Sequence, residues 1–285
     1  MNLLILKNDQ FLKREDAVVD VEDRGYQFGD GVYEVIRVYD GKLFEMDAHM
    51  RRLERSLSAI RIPFKTPIPE LEHQLLELCR LNQLENGMIY MQITRGTSER
   101  THAFPKNAEP VLVAYTKSLE RPIKEIQEGV KVCLTEDIRW LRCSIKSLNL
   151  LPNSLAKQEA VEKGCQEAVL HRGDTVTEGS SSNIFIVKGK TLFTHPANNL
   201  ILNGITRLWV IRNAVSLGFT VVEKHFTKDN LLQADEAFIT STIQEIMPVI
   251  KVEDHLIGSG VPGEITQKLQ ALFQQEIGSL SYKIS

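Results

Sequence analysis

The sequence is short of the residue patterns that mark several common classes of protein. Its 285 residues include only four cysteines, and no two of them are spaced as C-x-x-C, so neither a structural zinc site nor a disulfide scaffold is expected. The P-loop pattern G-x-x-x-x-G-K-[ST], the zinc-protease pattern H-E-x-x-H and the nucleophile pattern G-x-S-x-G are all absent. The seven histidines show no close ligand spacing. We therefore expect no metal site.

The sequence also lacks a surplus of charge and a long apolar run. The 34 Lys and Arg residues stand against 37 Asp and Glu residues, a formal net charge of −3, which leaves no basic surplus for holding a nucleic acid. No uninterrupted apolar stretch reaches the ~18 residues that a membrane-spanning helix needs. The opening residues MNLLILKNDQ do not have the pattern of a signal peptide. We expect a cytoplasmic enzyme that binds neither nucleic acid nor membrane.

The pattern of apolar residues predicts both strands and helices. An apolar residue at every third or fourth position from Met46 to Ile60 indicates a helix, with Asp47 as its N-cap. Strands and helices do not alternate strictly, so the fold class is α+β or mixed α/β rather than a TIM barrel. The predicted strands include Leu3–Leu6, Val32–Tyr39, Ile89–Ile93, Pro110–Tyr115, Val130–Leu134, Ala168–His171, Asn183–Val187 and Thr191–Thr194, and further helices are expected from about 67–70 and near 150–163, 205–217 and 262–275.

The length is compatible with one large domain or with two ordinary ones, since domains commonly have about 100–200 residues. The segment KSLERP at 117–122 is polar, ends in proline and follows a predicted strand. We therefore predict an N-terminal α+β domain over residues 1–117, a linker over 118–122 and a C-terminal domain over 123–285.

Several segments have compositions that suit chemistry. Lys146 is flanked by apolar residues in IKSLNLL, and lysines in apolar surroundings can become nucleophiles, although most such lysines only extend their amine to water. Glu178 opens the run TEGSSSN, which is rich in hydroxyl groups. Gly204 to Thr206 begin a predicted helix whose N-terminus is suited to a phosphate. Alone, each segment is equally compatible with a turn or a solvated loop.

Together these segments match the requirements of one cofactor. Pyridoxal phosphate needs a lysine for its carbonyl, an acid for its pyridine nitrogen, and a phosphate site made of hydroxyl groups and a helix N-terminus. The sequence supplies Lys146, Glu178, Gly204–Thr206 and the pair Ser241 and Thr242 in chain order.

The motifs also resemble those of a known family. Their order is DRGYQFGDGVYEV, HMRRL, TRGTSERTH, IKSLNLL, TEGSSSN and GITR. This series is similar to the fold-type IV pyridoxal-phosphate enzymes, the class IV aminotransferase family, over nearly the whole chain. The lysine and glutamate motifs are shared by branched-chain aminotransferases and aminodeoxychorismate lyases, whereas Tyr33 with Arg100 and His102 resembles the members that act on D-amino acids.

The resemblance implies a role for each matching residue. Lys146 would form the Schiff base and carry the proton, Glu178 would partner the pyridine nitrogen, and Arg52 would bind the phosphate. Leu202 would contact the cofactor ring. The α-carboxylate of the substrate would be held by Tyr33, and by Arg100 and His102 from the partner subunit of a homodimer. The remaining phosphate contacts would come from Ile205, Thr206, Ser241 and Thr242.

Two features of the sequence do not agree with the roles and motifs that the resemblance implies. On an ideal helix Arg52 lies roughly 120° from the apolar stripe, so helical periodicity alone predicts a solvated side chain. Pro152 follows the lysine motif and departs from the family pattern, which places the start of the next helix in question.

The resemblance implies a two-domain architecture with the cofactor between the domains, and a specific reaction. The expected activity is ping-pong transamination of D-amino acids such as D-alanine with a 2-oxo acid such as 2-oxoglutarate, giving pyruvate and D-glutamate. The alternatives on the same fold are an L-branched-chain-amino-acid aminotransferase and an aminodeoxychorismate lyase. A pyridoxal-phosphate carrier without catalytic activity is a further alternative, which the presence of both Lys146 and Glu178 disfavours.

Overall fold

The computed structural model describes residues 3–107 and 109–279, which form two compact units. The first unit comprises the described residues up to Glu120 together with Ile145–Asn149, and the second comprises Arg121–Ser144 and Leu150–Gly278. The boundary after Glu120 lies within the predicted linker. The predicted division assigns Lys146 to the second domain, whereas its segment belongs to the first unit because it pairs with a strand there.

A six-stranded antiparallel sheet forms the centre of the first unit. Its spatial order is β2-β1-β6-β5-β3-β4. The first two strands form a hairpin, with Asn8 in the left-handed conformation at its turn. The strands are β1 (Leu4–Lys7), β2 (Gln10–Lys13), β3 (Gly31–Tyr39), β4 (Lys42–Leu43), β5 (Gly87–Thr94) and β6 (Val111–Ser118), and the helices are α1 (Arg24–Phe28), α2 (Met46–Ala59) and α3 (Ile68–Leu81).

The two long helices of this unit cover one face of the sheet. Val32 and Ile36 of β3 point to that face and are buried with Met50 and Leu53 of α2. Because side chains alternate along a strand, Tyr33 and Val35 lie on the opposite face and are half-buried, whereas Arg37 and Tyr39 further along that face are buried. The alternation of β3 therefore separates the face packed against α2 from a face on which Tyr33 stays partly exposed.

The start of α2 differs from the prediction. The helix begins at Met46, its N-cap is Glu45 in the left-handed conformation, and no side chain makes the capping bond. Asp47 lies inside the first turn, so its prediction as the cap is wrong. A carboxylate in the first turn still stabilises a helix through the helix dipole.

The motif DRGYQFGDG forms a short helix. Asp23 caps the N-terminus of α1, and Gly29 ends this helix in the left-handed conformation at φ 64°.

A mixed sheet forms the centre of the second unit. Its order is β12-β11-β10-β13-β14-β7-β8-β9, with β15 paired to β14; the pairs β11–β12, β14–β7 and β7–β8 are parallel and the others are antiparallel. The strands are β7 (Val130–Glu136), β8 (Glu167–Arg172), β9 (Thr175–Gly179), β10 (Asn183–Lys188), β11 (Thr191–Thr194), β12 (Thr220–Glu223), β13 (Glu236–Ser241), β14 (Glu245–Val252) and β15 (His255–Leu256), and the helices are α4 (Ile123–Glu128), α5 (Leu151–Glu162), α6 (Ile205–Ser216), α7 (Lys228–Leu232) and α8 (Glu264–Ser279).

Helices cover this sheet and fix its core. Helix α5 packs on β7 and β8 through a cluster of small side chains that includes Ala156 and Ala160. Trp209 of α6 contacts Phe273 of α8 edge-on, with ring centroids 4.9 Å apart. Pro152 occupies the first turn of α5, where a missing N–H costs nothing, so it does not displace the predicted helix.

These two sheets with their helices confirm the predicted α+β class. Among the described residues, no helix combines the length and the apolar character that crossing a membrane requires. Within the same residues, no group of three or more His, Cys, Asp or Glu side chains is arranged to hold a metal ion.

Candidate active site

Lys146 lies on an irregular segment that extends the sheet of the first unit. Strand β4 pairs with β3 only at its C-terminal end, at Val38 and Tyr39, so β4 does not cover the N-terminal end of β3. There the N–H of Tyr33 donates to the carbonyl of Lys146 at 3.0 Å, and the N–H of Leu148 donates to the carbonyl of Gly31 at 3.0 Å. Only glycine fits at position 31, because a Cβ atom would lie 2.7 Å from the Ile93 carbonyl oxygen.

This pairing places the lysine amine against an aromatic ring. Lys146 Nζ lies 4.0 Å from the centroid of the Tyr33 ring, and both side chains are half-buried. The Tyr33 ring stacks on Tyr90 at 5.8 Å, and Tyr90 stacks on Tyr115 at 5.1 Å. A row of three tyrosines thus extends across the sheet from the amine. The structure brings together the predicted Schiff-base lysine and the predicted carboxylate ligand Tyr33.

Arg52 is buried at 4% exposure, so the solvated position that helical periodicity predicts is wrong. Its Nε and Nη2 atoms donate to the two carboxylate oxygens of Glu34, each at 2.7 Å. His49 Nδ1 donates to the same carboxylate at 2.8 Å. Glu34 lies on the packed face of β3, where a charge needs buried partners, and α2 supplies them one turn apart.

The ionic character of this group follows from its contacts. Burial opposes the ionisation of Glu34, but the charge and hydrogen bonds of Arg52 and the bond from His49 hold its pKa far below the usual value. Burial lowers the pKa of His49, and the bond to Glu34 partly opposes this. Glu34 therefore fixes the guanidinium of Arg52 in one orientation.

Replacing Glu34 with alanine is expected to lower the free energy of unfolding by about 3–5 kcal/mol, because Arg52 and His49 would stay buried without their acceptor. Urea unfolding of the cofactor-free protein measures the effect. Glu77→Ala is the matched control, since Glu77 pairs with Arg80 at the surface, where solvent screens the two charges and the loss of the pair should change stability little. Equal losses in the two variants would contradict the buried cluster.

Glu178 is the central acid of the second unit and is buried on β9. Its carboxylate accepts from Arg139 Nη1 at 2.5 Å, from Asn183 Nδ2 at 2.8 Å and from the N–H of Leu202 at 3.0 and 3.1 Å. Burial raises the pKa of Glu178 to about 7, and Arg139 and the hydrogen bonds oppose that rise. Sequence reasoning missed Arg139, while Asn183 closes the TEGSSSN motif and could have been found there.

The N-terminus of α6 is open to a ligand. Gly204 is its N-cap, no side chain makes a capping bond, and the first N–H groups of a helix, here on Ile205 and Thr206, have no partner within it. A Cβ atom at Gly204 would lie 2.1 Å from Asn183 Oδ1, so only glycine lets the chain approach so closely.

A strand of the same unit adds hydroxyl groups. Thr240 Oγ1 is buried with no hydrogen-bond partner, and Thr240 lies directly across from Asn183 in the β10–β13 pair. A buried hydroxyl without a partner is uncommon and points to a missing ligand. Ser241 ends β13 and accepts from the N–H of Gln244 at 3.0 Å, and Thr242 lies in the following turn. Sequence reasoning named Ser241 and Thr242 but missed Thr240.

The predicted carboxylate ligands Arg100 and His102 lie on an exposed loop of the first unit. Both contact Phe28, the last residue of α1: Arg100 Cζ is 5.0 Å from the ring centroid, and the His102 ring is 5.7 Å away. In the part of the chain that the structure describes, no contact joins either residue to Tyr33. The structure therefore does not bring these residues together with Tyr33 of the same chain.

The groups found here suit a phosphorylated pyridine aldehyde. Lys146 is an amine held at a defined place, Glu178 is a buried acid that can partner a pyridine nitrogen, and the start of α6 offers N–H groups to a phosphate. The unpartnered hydroxyl of Thr240 agrees with a ligand near Asn183. Each of these groups, taken within its own unit, is of a type that pyridoxal phosphate requires.

The family model described as Amino-transferase class IV matches residues 31–252, a range that contains both Lys146 and Glu178. The chain therefore belongs to the class IV aminotransferases, which depend on pyridoxal 5′-phosphate. The resemblance seen in the sequence motifs is thereby confirmed.

Curated relatives match the chain almost end to end. The chain is 47% identical over 279 residues to the D-alanine aminotransferase of Bacillus licheniformis, covering 98% of this chain and 99% of that protein. It is 48% identical over 278 residues to the D-alanine aminotransferase of Staphylococcus aureus (strain N315), covering 97% and 99%.

Solved structures of the same fold are more distant in sequence. The branched-chain amino acid aminotransferase from Escherichia coli aligns with a TM-score of 0.91 at 27% identity and covers 100% of both chains. The branched-chain amino acid aminotransferase from Thermobaculum terrenum, in its PLP-form, aligns with a TM-score of 0.87 at 26% identity, covering 98% of this chain and 95% of that chain. These likenesses confirm the fold-type IV architecture.

Proposed function

We propose that the protein transaminates D-amino acids such as D-alanine with a 2-oxo acid such as 2-oxoglutarate, giving pyruvate and D-glutamate. The observation that carries the proposal is the identity of 47–48% to D-alanine aminotransferases over nearly the full length of both chains. The branched-chain aminotransferases share the fold at only 26–27% identity. The sequence is thus far more similar to the D-alanine enzymes than to these branched-chain enzymes.

The proposal gives Lys146 two tasks. Bound pyridoxal phosphate supplies an electrophilic carbonyl carbon and a ring that withdraws electrons. The Lys146 amine would hold the cofactor at that carbon, and as a free amine it would carry a proton between the substrate Cα and cofactor C4′. Its position against the Tyr33 ring supports this role, because the backbone pairing with β3 limits where the amine can reach.

The other site residues would bind the cofactor and orient it. Ionised Glu178 would keep the pyridine nitrogen protonated, and Leu202 would contact the ring. Arg52, oriented by Glu34, would bind the phosphate. The N–H groups of Ile205 and Thr206 and the hydroxyls of Ser241 and Thr242 would donate to the same phosphate, a role supported by the uncapped start of α6.

We propose in addition that two chains form a homodimer with shared active sites. Tyr33 of one chain and Arg100 and His102 of its partner would hold the substrate α-carboxylate, since arginine binds a carboxylate through two parallel hydrogen bonds. The position of Arg100 and His102 against Phe28 instead of Tyr33 supports a role outside their own chain. Strongly exposed apolar side chains on the same unit, among them Val21 at 76% and Tyr26 at 81%, also favour a covered surface.

A cytoplasmic location is part of the proposal. All four cysteines are free thiols and are buried, as is common in proteins of reducing compartments. Burial raises the pKa of the Cys79 thiol to about 12, which keeps it protonated and unreactive.

The absorbance spectrum of the cofactor tests the proposed reaction. The purified protein loaded with pyridoxal phosphate is titrated first with D-alanine and then, in a separate sample, with L-leucine. We expect D-alanine to convert the cofactor to its amine form with release of pyruvate, and 2-oxoglutarate to restore the starting spectrum with release of D-glutamate.

Each alternative predicts a different result. Conversion by L-leucine but not by D-alanine would identify a branched-chain enzyme. Pyruvate formed from aminodeoxychorismate without any amino acceptor would identify a lyase. A loaded protein whose spectrum responds to no amino acid would indicate a carrier.

A further inference from the structure

A second buried acid, Asp137, lies one residue beyond β7 and has no role in the function proposed above. Its carboxylate accepts from Arg139 Nε and Nη2, each at 2.9 Å, and its Oδ1 also accepts from the N–H of Arg139 at 3.1 Å. Arg172 Nε donates to it at 3.1 Å, and the Thr177 hydroxyl lies 3.0 Å away. Asp137 is 5% exposed. Such a complete set of donors holds the carboxylate in one orientation.

The contacts of Arg139 show what this orientation achieves. Nε and Nη2 are engaged by the two oxygens of Asp137, and Nη2 also donates to the Leu200 carbonyl at 3.1 Å. Nη1 donates to Glu178 Oε1 at 2.5 Å. Because a guanidinium group is planar and rigid, fixing one edge against Asp137 determines where Nη1 points.

We propose that Asp137 is a positioning residue for Glu178, the acid that partners the pyridine nitrogen. Asp137 binds one edge of the Arg139 guanidinium, so that Arg139 Nη1 remains hydrogen-bonded to Glu178. This contact keeps the Glu178 carboxylate ionised where it would face the cofactor. The inference rests on the proposed function, in which Glu178 partners the ring nitrogen. Asp137 itself touches neither cofactor nor substrate in this scheme.

The charges around Glu178 explain why the position of Arg139 affects the ionisation of Glu178. Burial raises the pKa of Glu178, and Arg139 is the leading group that opposes this rise. The other ionisable groups that face the cluster include Asp137, whose charge raises the pKa of Glu178, the Cys143 thiol, and His195, which feels the charge of Asp137. Arg172 faces Asp137 from β8. An Arg139 side chain that moved away would leave Glu178 buried without its cation.

Two effects of Asp137 on Glu178 therefore have opposite signs. Through space, the Asp137 charge disfavours ionised Glu178; through Arg139, Asp137 favours it. The variant Asp137→Asn removes the charge and half of the acceptor edge while keeping the size of the side chain. If positioning dominates, the variant raises the pH at which Glu178 ionises; if the direct charge dominates, the variant lowers it.

The test measures binding of pyridoxal phosphate to the cofactor-free protein as a function of pH. Affinity falls on the acid side as Glu178 becomes protonated. For Asp137→Asn we expect this midpoint to move to higher pH by about one unit, a tenfold loss of affinity on the acid side. The ring ¹⁵N signal of labelled pyridoxal phosphate is expected to show less protonated nitrogen in the variant at the same pH.

Asp174→Asn is the matched control in the same unit. Asp174 is 80% exposed and lies 3.7 Å from Lys228, and its replacement leaves the midpoint unchanged. A midpoint that moves to lower pH, or that stays in place while the melting temperature falls, overturns the positioning role.

Two further measurements keep the outcomes separate. If Asp137→Asn does not fold, the variant Arg172→Gln is used instead, because it removes the hydrogen bond from Arg172 Nε to Asp137. This variant should move the midpoint of cofactor binding to higher pH by a smaller amount. An unmoved midpoint would overturn the inference. Failure of the wild-type protein to bind pyridoxal phosphate would instead reject the proposed function, independently of the variants.

Discussion

Replacing Lys146 with alanine is expected to reduce turnover of D-alanine by about 10²–10⁴-fold, because the proposed proton carrier is removed and acid–base catalysis by one group contributes a factor of this size. The cofactor would also lose its covalent attachment. The measurements are single-turnover kinetics with D-alanine and the mass of the protein after borohydride reduction, which should add the cofactor to the wild type only.

The folded state should survive this change. Lys146 is half-buried, and its backbone pairing with β3 uses the carbonyl group, which alanine retains. Lys117→Ala is the matched control, since Lys117 is an exposed lysine on β6 of the same unit. A Lys146→Ala protein that keeps wild-type turnover, or that still gains the cofactor mass on reduction, would show that another amine performs the reaction.

Replacing Glu178 with glutamine is expected to lower turnover by about 10²–10³-fold, a loss of similar size to that of one preorganised hydrogen-bond donor in an active site. A neutral amide cannot hold a proton on the pyridine nitrogen, so the ring withdraws electrons less effectively. In the wild type, the pKa of Glu178 is raised from its ordinary value of 4.5 to about 7, so this acid is protonated as the pH falls through 7. The affinity of the cofactor-free protein for pyridoxal phosphate should fall over the same range.

The glutamine variant should lose this contribution to the pH dependence, since it has no carboxylate to titrate. Glu159→Gln is the control, because Glu159 pairs with Lys163 at the surface of the same unit and should leave turnover unchanged. An unaltered affinity profile in Glu178→Gln would mean that a different group partners the ring nitrogen.

Local patterns were sufficient to predict much of the fold. The alternation in β3 and β5 and the apolar spacing in α2 and α3 correspond to elements in the structure, because each pattern reflects which face is buried. Strands β9, β12, β13, β14 and β15 were not predicted. Strand β14, for example, is buried over most of its length, and a strand with both faces covered has no alternation to detect.

The partners of the predicted site residues could not be found in this way. Arg139 is 39 residues from Glu178, and Glu34 is 18 residues from Arg52, so no local window contains either pair. Helical periodicity counts apolar residues, and it therefore placed Arg52 in solvent although Glu34 needed it in the core. The hydroxyl of Thr240 became recognisable only when β13 was seen to pair with β10.

The sequence alone determined the family and predicted the lysine and the acid, since these follow from the order of short motifs and from the residue types that pyridoxal phosphate requires. Only the tertiary structure decided that the lysine segment belongs to the first unit and that Arg52 is paired and buried. It also decided that Arg139 pairs with Glu178 and that Asp137 holds Arg139. The physical reason is that a buried charge is stable only beside its counterions, and chain folding brings those counterions from distant positions.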